Sequence, residues 1–333
     1  MTEQSGTRSE PIVVALGEVD PELVREPLRG CGAIFVPEPG PGDLAAAAGA
    51  IVRADAVVDK AMLERMPKLR VLARTGVGVD LIDVAEATAR GIAVVITPGS
   101  GTYAVAEGVI AMALHLVKRL APLTDLVRNG QWGQRSGTII GDLDGATIGI
   151  VGYGRIGRRV ASLAEAFGMA VLAYDPITSP PDKFSCAGLE DLAARSDIIT
   201  LHAPLTDGTR KLVNQGFLNV TKPGAILINC SRGALIDTDA VLQALVNGLL
   251  SGVGLDVFEP EPPAHHPLFD HPNVVLTPHV MGLSRRATAA TFTDAARGVS
   301  DVLTGRRPAS LANPQWSLDQ PVAEGPLNKE RLT

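Results

Sequence analysis

The chain has only three cysteines in 333 residues, Cys31, Cys186 and Cys230. Three cannot build a disulfide framework, so a reducing, cytoplasmic setting is expected. There is no long basic run and the net charge is −6, which argues against a nucleic-acid surface. The most apolar helical stretch, residues 103–117, carries Glu107 and His115 and is too short to span a bilayer, so no membrane partner is expected. The first ten residues, MTEQSGTRSE, lack the apolar core of a secretory signal. Short repeats and low-complexity tracts are also missing. What remains is an ordinary globular balance, 46% hydrophobic and 20% charged, in a chain long enough for two sizeable cores.

Residues 147–175, TIGIVGYGRIGRRVASLAEAFGMAVLAYD, organise the rest. An apolar run at 148–151 reads as a buried parallel strand. Gly152, Gly154 and Gly157 follow in G-x-G-x-x-G spacing, then a helical pattern to about Phe167 and a second apolar run at 169–174. That run ends on Asp175, 18 residues after the last glycine. This is the strand–turn–helix–strand context of a dinucleotide fingerprint. Gly152 lets the chain turn tightly, Gly154 lets the backbone approach a pyrophosphate, and Gly157 lets the helix pack close to the sheet. The phosphates would rest on the free N–H groups of the first helical turn, which holds Arg155 and Ile156. Asp175 can accept hydrogen bonds from both adenosine-ribose hydroxyls and would repel a 2′-phosphate, and Pro176 follows it rather than an arginine. NAD rather than NADP is therefore expected. Asp175 also reads as a turn residue before proline, and the two readings are compatible.

Before the fingerprint, strands are expected at 11–16, 33–36, 50–52, 69–73 and 93–96. Helices are expected at 22–29, at the alanine-rich 43–48, at 60–65 and at 83–90. This βα rhythm implies a small parallel sheet with helices on both faces. Residues 104–120 form a long, nearly all-round apolar helix that must be buried on several sides. Later strands are expected at 198–201, 225–229, 252–256 and 274–276, with a helix at 238–247. A final helix at 284–303 is assigned back to the first domain. Candidate hinges lie at 98–103 and 280–284. The expected fold class is α/β, with two Rossmann-like, doubly wound parallel-sheet domains and a cleft between them. Residues 1–101 and 284–333 would form a discontinuous substrate domain, and 102–283 the NAD-binding domain. Residues 1–10 and 317–333 read as polar tails.

Three segments fall at expected strand C-termini, where open α/β sheets bind ligands. They are NCSRGALID (229–237), DVFEPEPP (256–263) and TPHVMG (277–282), and they offer Arg232, Glu261 and His279. Reducing a keto acid needs such a set. A fixed cation holds the carboxylate and polarises the ketone. An imidazole exchanges the hydroxyl proton. A carboxylate orients that imidazole and favours its charged form.

Seven motifs strengthen this reading: RTGVGVDLID (74–83), VAEGVIAMAL (105–114), GIVGYGRIGRRVA (149–161), LHAPLT (201–206), INCSRGALID (228–237), GLDVFEPEPP (254–263) and NVVLTPHV (273–280). In this order they resemble the D-2-hydroxyacid dehydrogenase family, especially its phosphoglycerate-dehydrogenase-like members, over residues 50 to 314. The resemblance implies that Arg232 binds substrate, Glu261 partners the histidine and His279 is the acid/base. It implies that the backbone N–H groups of Val77 and Gly78 hold the substrate carboxylate, and that Arg53, with Arg135 from the arm after Trp132, faces the substrate's far end; Arg53 also reads as a partner of Asp55 or Asp59, and Arg135 as a solvated residue. His202, Pro204 and Thr209 would line the nicotinamide and pyrophosphate, although His202 also reads as a structural histidine. Asp256 would approach the carboxamide, Cys230 would line the cofactor pocket as a small residue, and Arg232, His279 and Gly282 would also face NAD. The apolar helix and the arm around Trp132, which carries Arg135, would form a two-fold interface, hence a homodimer.

Glu259 competes with Glu261, but only Glu261 keeps the family's 29-residue interval from Arg232. His265, His266 and His271 cluster without supporting ligands, so no metal is expected. The chain departs from the family in carrying Met281 where a small residue is usual. The stretch RSGTIIGDLDG (135–145) is one residue longer than usual, and the C-terminal regulatory domain of many phosphoglycerate dehydrogenases is not expected after Pro314. The expected activity is interconversion of a 2-keto acid and a D-2-hydroxy acid, with an anionic substrate such as 3-phosphohydroxypyruvate or a phosphonate analogue. The alternative is a non-catalytic, NAD-sensing regulator on the same fold.

Overall fold

The computed structural model describes residues 10–318. The expected tails fall almost wholly outside them. Two compact units are present, Met1–Gly101 with Arg285–Thr333, and Thr102–Ser284. The first begins with β1 (Ile12–Leu16), α1 (Pro21–Arg29), β2 (Ile34–Val36), α2 (Pro41–Ala46) and β3 (Ala47–Val52). It continues through α3 (Lys60–Glu64), β4 (Val71–Arg74), α4 (Val84–Ala89) and β5 (Ala93–Val95). All its strands pair in parallel, in the order β2-β1-β3-β4-β5. Asp20, Asp59 and Asp83 each accept a backbone N–H at the start of α1, α3 and α4, which satisfies donors the helix itself leaves unpaired.

The alanine-rich stretch departs from expectation. Its helix stops at Ala46, and Ala47 and Ala48 open β3. This strand lies between β1 and β4, Ala47 and Ala50 are fully buried, and a Cβ on Gly49 would come within 2.9 Å of Val299. The crowded slot needs small residues on a strand, and sheet pairing overrides their helix propensity.

The second unit opens with α5 (Thr102–Val117) and α6 (Leu120–Arg128). The single helix expected at 104–120 therefore ends early. Arg119 takes a left-handed φ of 52° between the two helices, a common way to stop a helix. Next come β6 (Thr147–Val151), α7 (Arg155–Ala166), β7 (Ala170–Tyr174), α8 (Leu189–Arg195), β8 (Ile198–Leu201) and α9 (Gln215–Val220). The unit ends with β9 (Ala225–Asn229), α10 (Thr238–Val246), β10 (Leu250–Leu255) and β11 (Val274–Leu276). Its six strands are all parallel, in the order β11-β10-β9-β8-β6-β7. The sheet buries Ile148, Ile150, Ile199, Leu227 and Val253 between helical layers, the near-continuous apolar pattern of strands covered on both faces. The last helix, α11 (Arg285–Leu303), packs on α1 and on β3, β4 and β5 of the first sheet. Among the described residues no helix is long and apolar enough to cross a membrane.

Candidate active site

The second sheet reverses its winding between β6 and β8, and such a switch point opens a crevice at the strand C-termini. The glycine turn leaves β6 at this point. Gly152 has φ +97°, and a Cβ there would lie 2.6 Å from the His202 carbonyl carbon. A Cβ on Gly157 would lie 2.2 Å from the Gly152 oxygen, whereas one on Gly154 would meet nothing within 4 Å. Two glycines are thus required by contact inside the protein, and Gly154 leaves open space in front of α7. That helix starts at Arg155 and Ile156 without any side-chain cap. Its first N–H groups remain for an anion. These residues fit a dinucleotide pyrophosphate.

Asp175 ends β7. Its Oδ2 accepts from Tyr153 N at 2.8 Å, and its Oδ1 from Ile177 N and Thr178 N, both at 2.8 Å. Burial alone would raise its pKa, but these three bonds and the Arg158 charge hold it below the usual carboxylate value. The carboxylate is therefore an anion that also staples its own turn. Thr209 Oγ1 is engaged within the 204–209 turn, accepting from Thr206 N at 2.8 Å and donating to Pro204 O at 2.7 Å. Cys230 is buried, and burial, reinforced by the Asp256 charge, pushes its thiol up to about 12. Burial and a raised pKa both disfavour the thiolate a nucleophile needs.

β11, β10 and β9 are neighbours, so their C-terminal segments lie side by side. His279 Nδ1 lies 2.7 Å from Glu261 Oε2, and Glu261 Oε1 accepts from Phe258 N at 2.9 Å. Glu261, not Glu259, thus reaches the imidazole; Glu259 faces Arg210 at 3.9 Å. Nε2 of His279 has no protein partner among the described residues. His279 has φ +53°, a left-handed conformation costing a non-glycine residue about 1–2 kcal/mol.

Asp256, only 2% exposed, braces this turn. It accepts from Thr277 Oγ1 at 2.7 Å, Val280 N at 2.9 Å and Met281 N at 3.1 Å. Its carboxylate therefore works first on the histidine's own backbone. Gly282 follows with room around it, the nearest neighbour of a built Cβ being Val105 at 3.7 Å. Arg232 is held from behind. Asn229 Nδ2 donates to its carbonyl at 2.8 Å, and Arg232 Nη1 donates to Ser231 O at 2.7 Å. A Cβ on Gly233 would sit 2.0 Å from the Phe258 carbonyl carbon, so the loops carrying Arg232 and Glu261 touch backbone to backbone.

The first unit has its own switch point between β1 and β3. Arg53 stands there, its stem against Gly17 and its guanidinium 5.3 Å from the Phe292 ring centroid. Among the described residues it has no carboxylate partner. After β4, the N–H groups of Val77 and Gly78 likewise have no acceptor among the described residues. Sequence reasoning missed Arg74. Its Nε donates to Gly78 O at 2.9 Å and its Nη1 to Thr75 O at 2.6 Å, bracing the turn that carries Val77 and Gly78. A cation directly before a glycine-rich turn was the available signal. Arg135 stacks on exposed Trp132, 5.0 Å from the ring centroid. His265 pairs with Asp270, His266 with Asp239, and His271 accepts from Asn273 N.

Residues 110–281 match the model of the NAD-binding domain of D-isomer-specific 2-hydroxyacid dehydrogenases. Glyoxylate reductase of Thermococcus litoralis is 40% identical over 77% of this chain and 80% of its own length. The chain belongs to the D-isomer-specific 2-hydroxyacid dehydrogenase family. D-3-phosphoglycerate dehydrogenase of Methanocaldococcus jannaschii is 38% identical over 79% of this chain, which spans 51% of that protein. The solved D-lactate dehydrogenase of Aquifex aeolicus, complexed with NAD and lactic acid, superposes with a TM-score of 0.78 at 30% identity, covering 88% of this chain and 96% of that one. This family member therefore carries an NAD-binding domain, and its reaction class is NAD(P)-dependent oxidoreduction at a 2-hydroxy acid.

Proposed function

We propose that the chain is an NAD-dependent D-2-hydroxyacid dehydrogenase acting on a small 2-keto acid with an anionic far end. The 2.7 Å His279–Glu261 pair carries this reading. With Nδ1 engaged by Glu261, Nε2 is the nitrogen that gives a proton to the forming hydroxyl oxygen in reduction and takes it back in oxidation. Glu261 compensates the imidazolium charge, and Arg232 holds the carboxylate and stabilises the alkoxide. The bound cofactor supplies or accepts the hydride. On this reading residues 1–101 and 284–333 are the substrate domain and 102–283 the NAD-binding domain. The N–H groups of Val77 and Gly78 would then hold the substrate carboxylate. His202, Pro204, Thr209, Cys230, Asp256 and Gly282 would surround the cofactor, and Asp175 would select NAD.

The two kinds of relative differ at the substrate's far end, since glyoxylate has no group there and phosphoglycerate carries a phosphate. Arg53, without a carboxylate partner among the described residues, supports the anionic class. α5, α6 and the arm expose Tyr103, Leu120, Val127, Trp132, Ile139 and Ile140. This apolar surface supports a homodimer built through the NAD-binding domain; a cytoplasmic location completes the proposal. The test is kcat/KM for 3-phosphohydroxypyruvate, hydroxypyruvate, glyoxylate, pyruvate and phosphonopyruvate, in wild type and Arg53→Gln. The wild type should prefer the phosphorylated acids, and the substitution should erase that preference. Preference for glyoxylate or a branched aliphatic acid, or an unchanged ratio in Arg53→Gln, overturns the substrate assignment.

A further inference from the structure

Gly108 lies in the middle of α5 and is buried, a position where glycine weakens a helix and needs a reason. A Cβ built on it would fall 2.4 Å from Met281 Sδ, 2.9 Å from Cγ and 3.1 Å from Cβ. The Met281 side chain therefore runs along the bare backbone of Gly108, in a slot that an added Cβ would enter, so that Met281 would have to shift.

The slot lies two residues beyond His279. Of the three residues that follow the histidine, Val280 is 39% exposed and Gly282 has no side chain. Met281 alone packs on the buried cluster containing Ala106, Val109, Met112 and Cys230. Asp256 holds the same turn through three hydrogen bonds. His279 keeps its left-handed backbone between these two restraints, and such a conformation persists only where its surroundings over-determine it.

We propose that Met281 is a positioning residue for His279: seated in the slot that Gly108 keeps open in α5, it fixes the 277–282 turn on one side while Asp256 fixes it on the other. That the lock serves turnover rests on the role proposed for His279; that it fixes the turn does not. The two residues act as one unit, so their substitutions must be coupled.

The experiment compares Met281→Ala, Met281→Leu, Gly108→Ala and the Gly108→Ala/Met281→Ala double variant. Three quantities are read: amide hydrogen exchange at Val280 and Met281, kcat with NADH and the best keto acid of the panel, and the Kd for NADH. Met281→Ala should speed exchange of both amides and lower kcat by about tenfold, the scale of a small misplacement of a reacting group. The Kd for NADH should change by less than about twofold, and Met281→Leu, which refills the slot, should stay within about twofold of wild type in every quantity. Gly108→Ala should be at least as damaging as Met281→Ala, yet add nothing when Met281 is already alanine. Unchanged exchange in Met281→Ala overturns the proposal, as does a Gly108→Ala effect of equal size in both backgrounds. If Gly108→Ala does not fold, Met281→Ala and Met281→Leu decide. A wild type that turns over no keto acid would sink the functional reading, while the exchange measurements would still decide the lock.

Discussion

His202 should resist protonation far below the usual range of histidine. It directly follows β8, beside the Gly152 turn. Its Nε2 lies 3.0 Å from the hydroxyl of fully buried Thr200, and its Nδ1 is buried without a hydrogen-bond partner. Burial pushes its pKa down from 6.5 to about 4. The direction of the stability effect follows. Above pH 6.5 the ring is neutral in folded and unfolded chains and contributes no pH dependence. Between 6.5 and about 4 the unfolded chain takes up a proton that the folded one refuses, so stability falls as pH falls. Each pH unit costs about 1.4 kcal/mol, roughly 2 kcal/mol by pH 5 and 3 kcal/mol in full. The assay is a ¹³Cε1 titration of histidine-labelled protein, with denaturant midpoints of wild type and His202→Asn at pH 7.5, 6 and 5. The His202 resonance should keep its neutral position to below pH 5, and the stability gap between wild type and His202→Asn should narrow as pH falls. A ring that titrates near 6.5, or a gap independent of pH, would refute the argument. No limb of an activity profile between pH 6 and 8 should belong to this residue.

His279→Ala should lower kcat by at least about 10²-fold, the scale of a lost general acid–base, with little change in NADH affinity; near-normal turnover removes His279 from the mechanism. Asp175→Ala should relax the preference for NAD over NADP. It should also cost about 1–2 kcal/mol of stability, because three backbone N–H groups lose their acceptor; a wild type that already prefers NADP overturns the first half. Asn313, fully buried, bonds Val94 N, Ile92 O and Thr88 Oγ1, so Asn313→Ala should destabilise the first unit by about 2–4 kcal/mol, read as a shift in its unfolding transition. Cys230, with its thiol pushed up to about 12, should stay unmodified by iodoacetamide at pH 8 in the folded protein; labelling before unfolding would contradict its burial.

Some of this architecture was legible in the sequence because single effects dominate it. The runs at 198–201, 225–229 and 274–276 became β8, β9 and β11 with those bounds. All three are short, apolar and bounded by breakers; β8 and β9 are buried on both faces, where no periodicity competes, while β11 is the half-exposed edge of the sheet. The alanines at 43–48 misled because their intrinsic preference is helical, and only neighbouring strands, absent from any local window, make them part of β3. α6 was invisible for a related reason: the apolar pattern runs on past Val117, and only the left-handed Arg119 splits it. The candidate trio Arg232, Glu261 and His279 stands out in the sequence by position at strand ends and by family resemblance, not by spacing alone. Arg74, Asn229 and the bracing role of Asp256 could not. Their work consists of hydrogen bonds to backbone atoms, and a sequence does not show where a carbonyl points.

That contrast explains how the fold separates holding from binding. Asp256, Asn229 and Thr209 have their polar atoms engaged inside the protein, and each fixes a turn next to a proposed functional group. Around the proposed site, by contrast, the N–H groups of Val77 and Gly78, His279 Nε2 and the Arg53 guanidinium have no such partner among the described residues, and the first turn of α7 has no side-chain cap. These groups are at least partly exposed, so water satisfies them until a ligand takes its place. Each of these groups lies at the C-terminal end of a parallel strand or at a helix start. On the proposed function, each would meet one part of an anionic keto acid or a dinucleotide: carboxylate, reacting oxygen, distal anion and pyrophosphate. The substrate assignment therefore depends least on His279, which every 2-keto acid would use, and most on Arg53, whose charge a neutral substrate would leave unanswered.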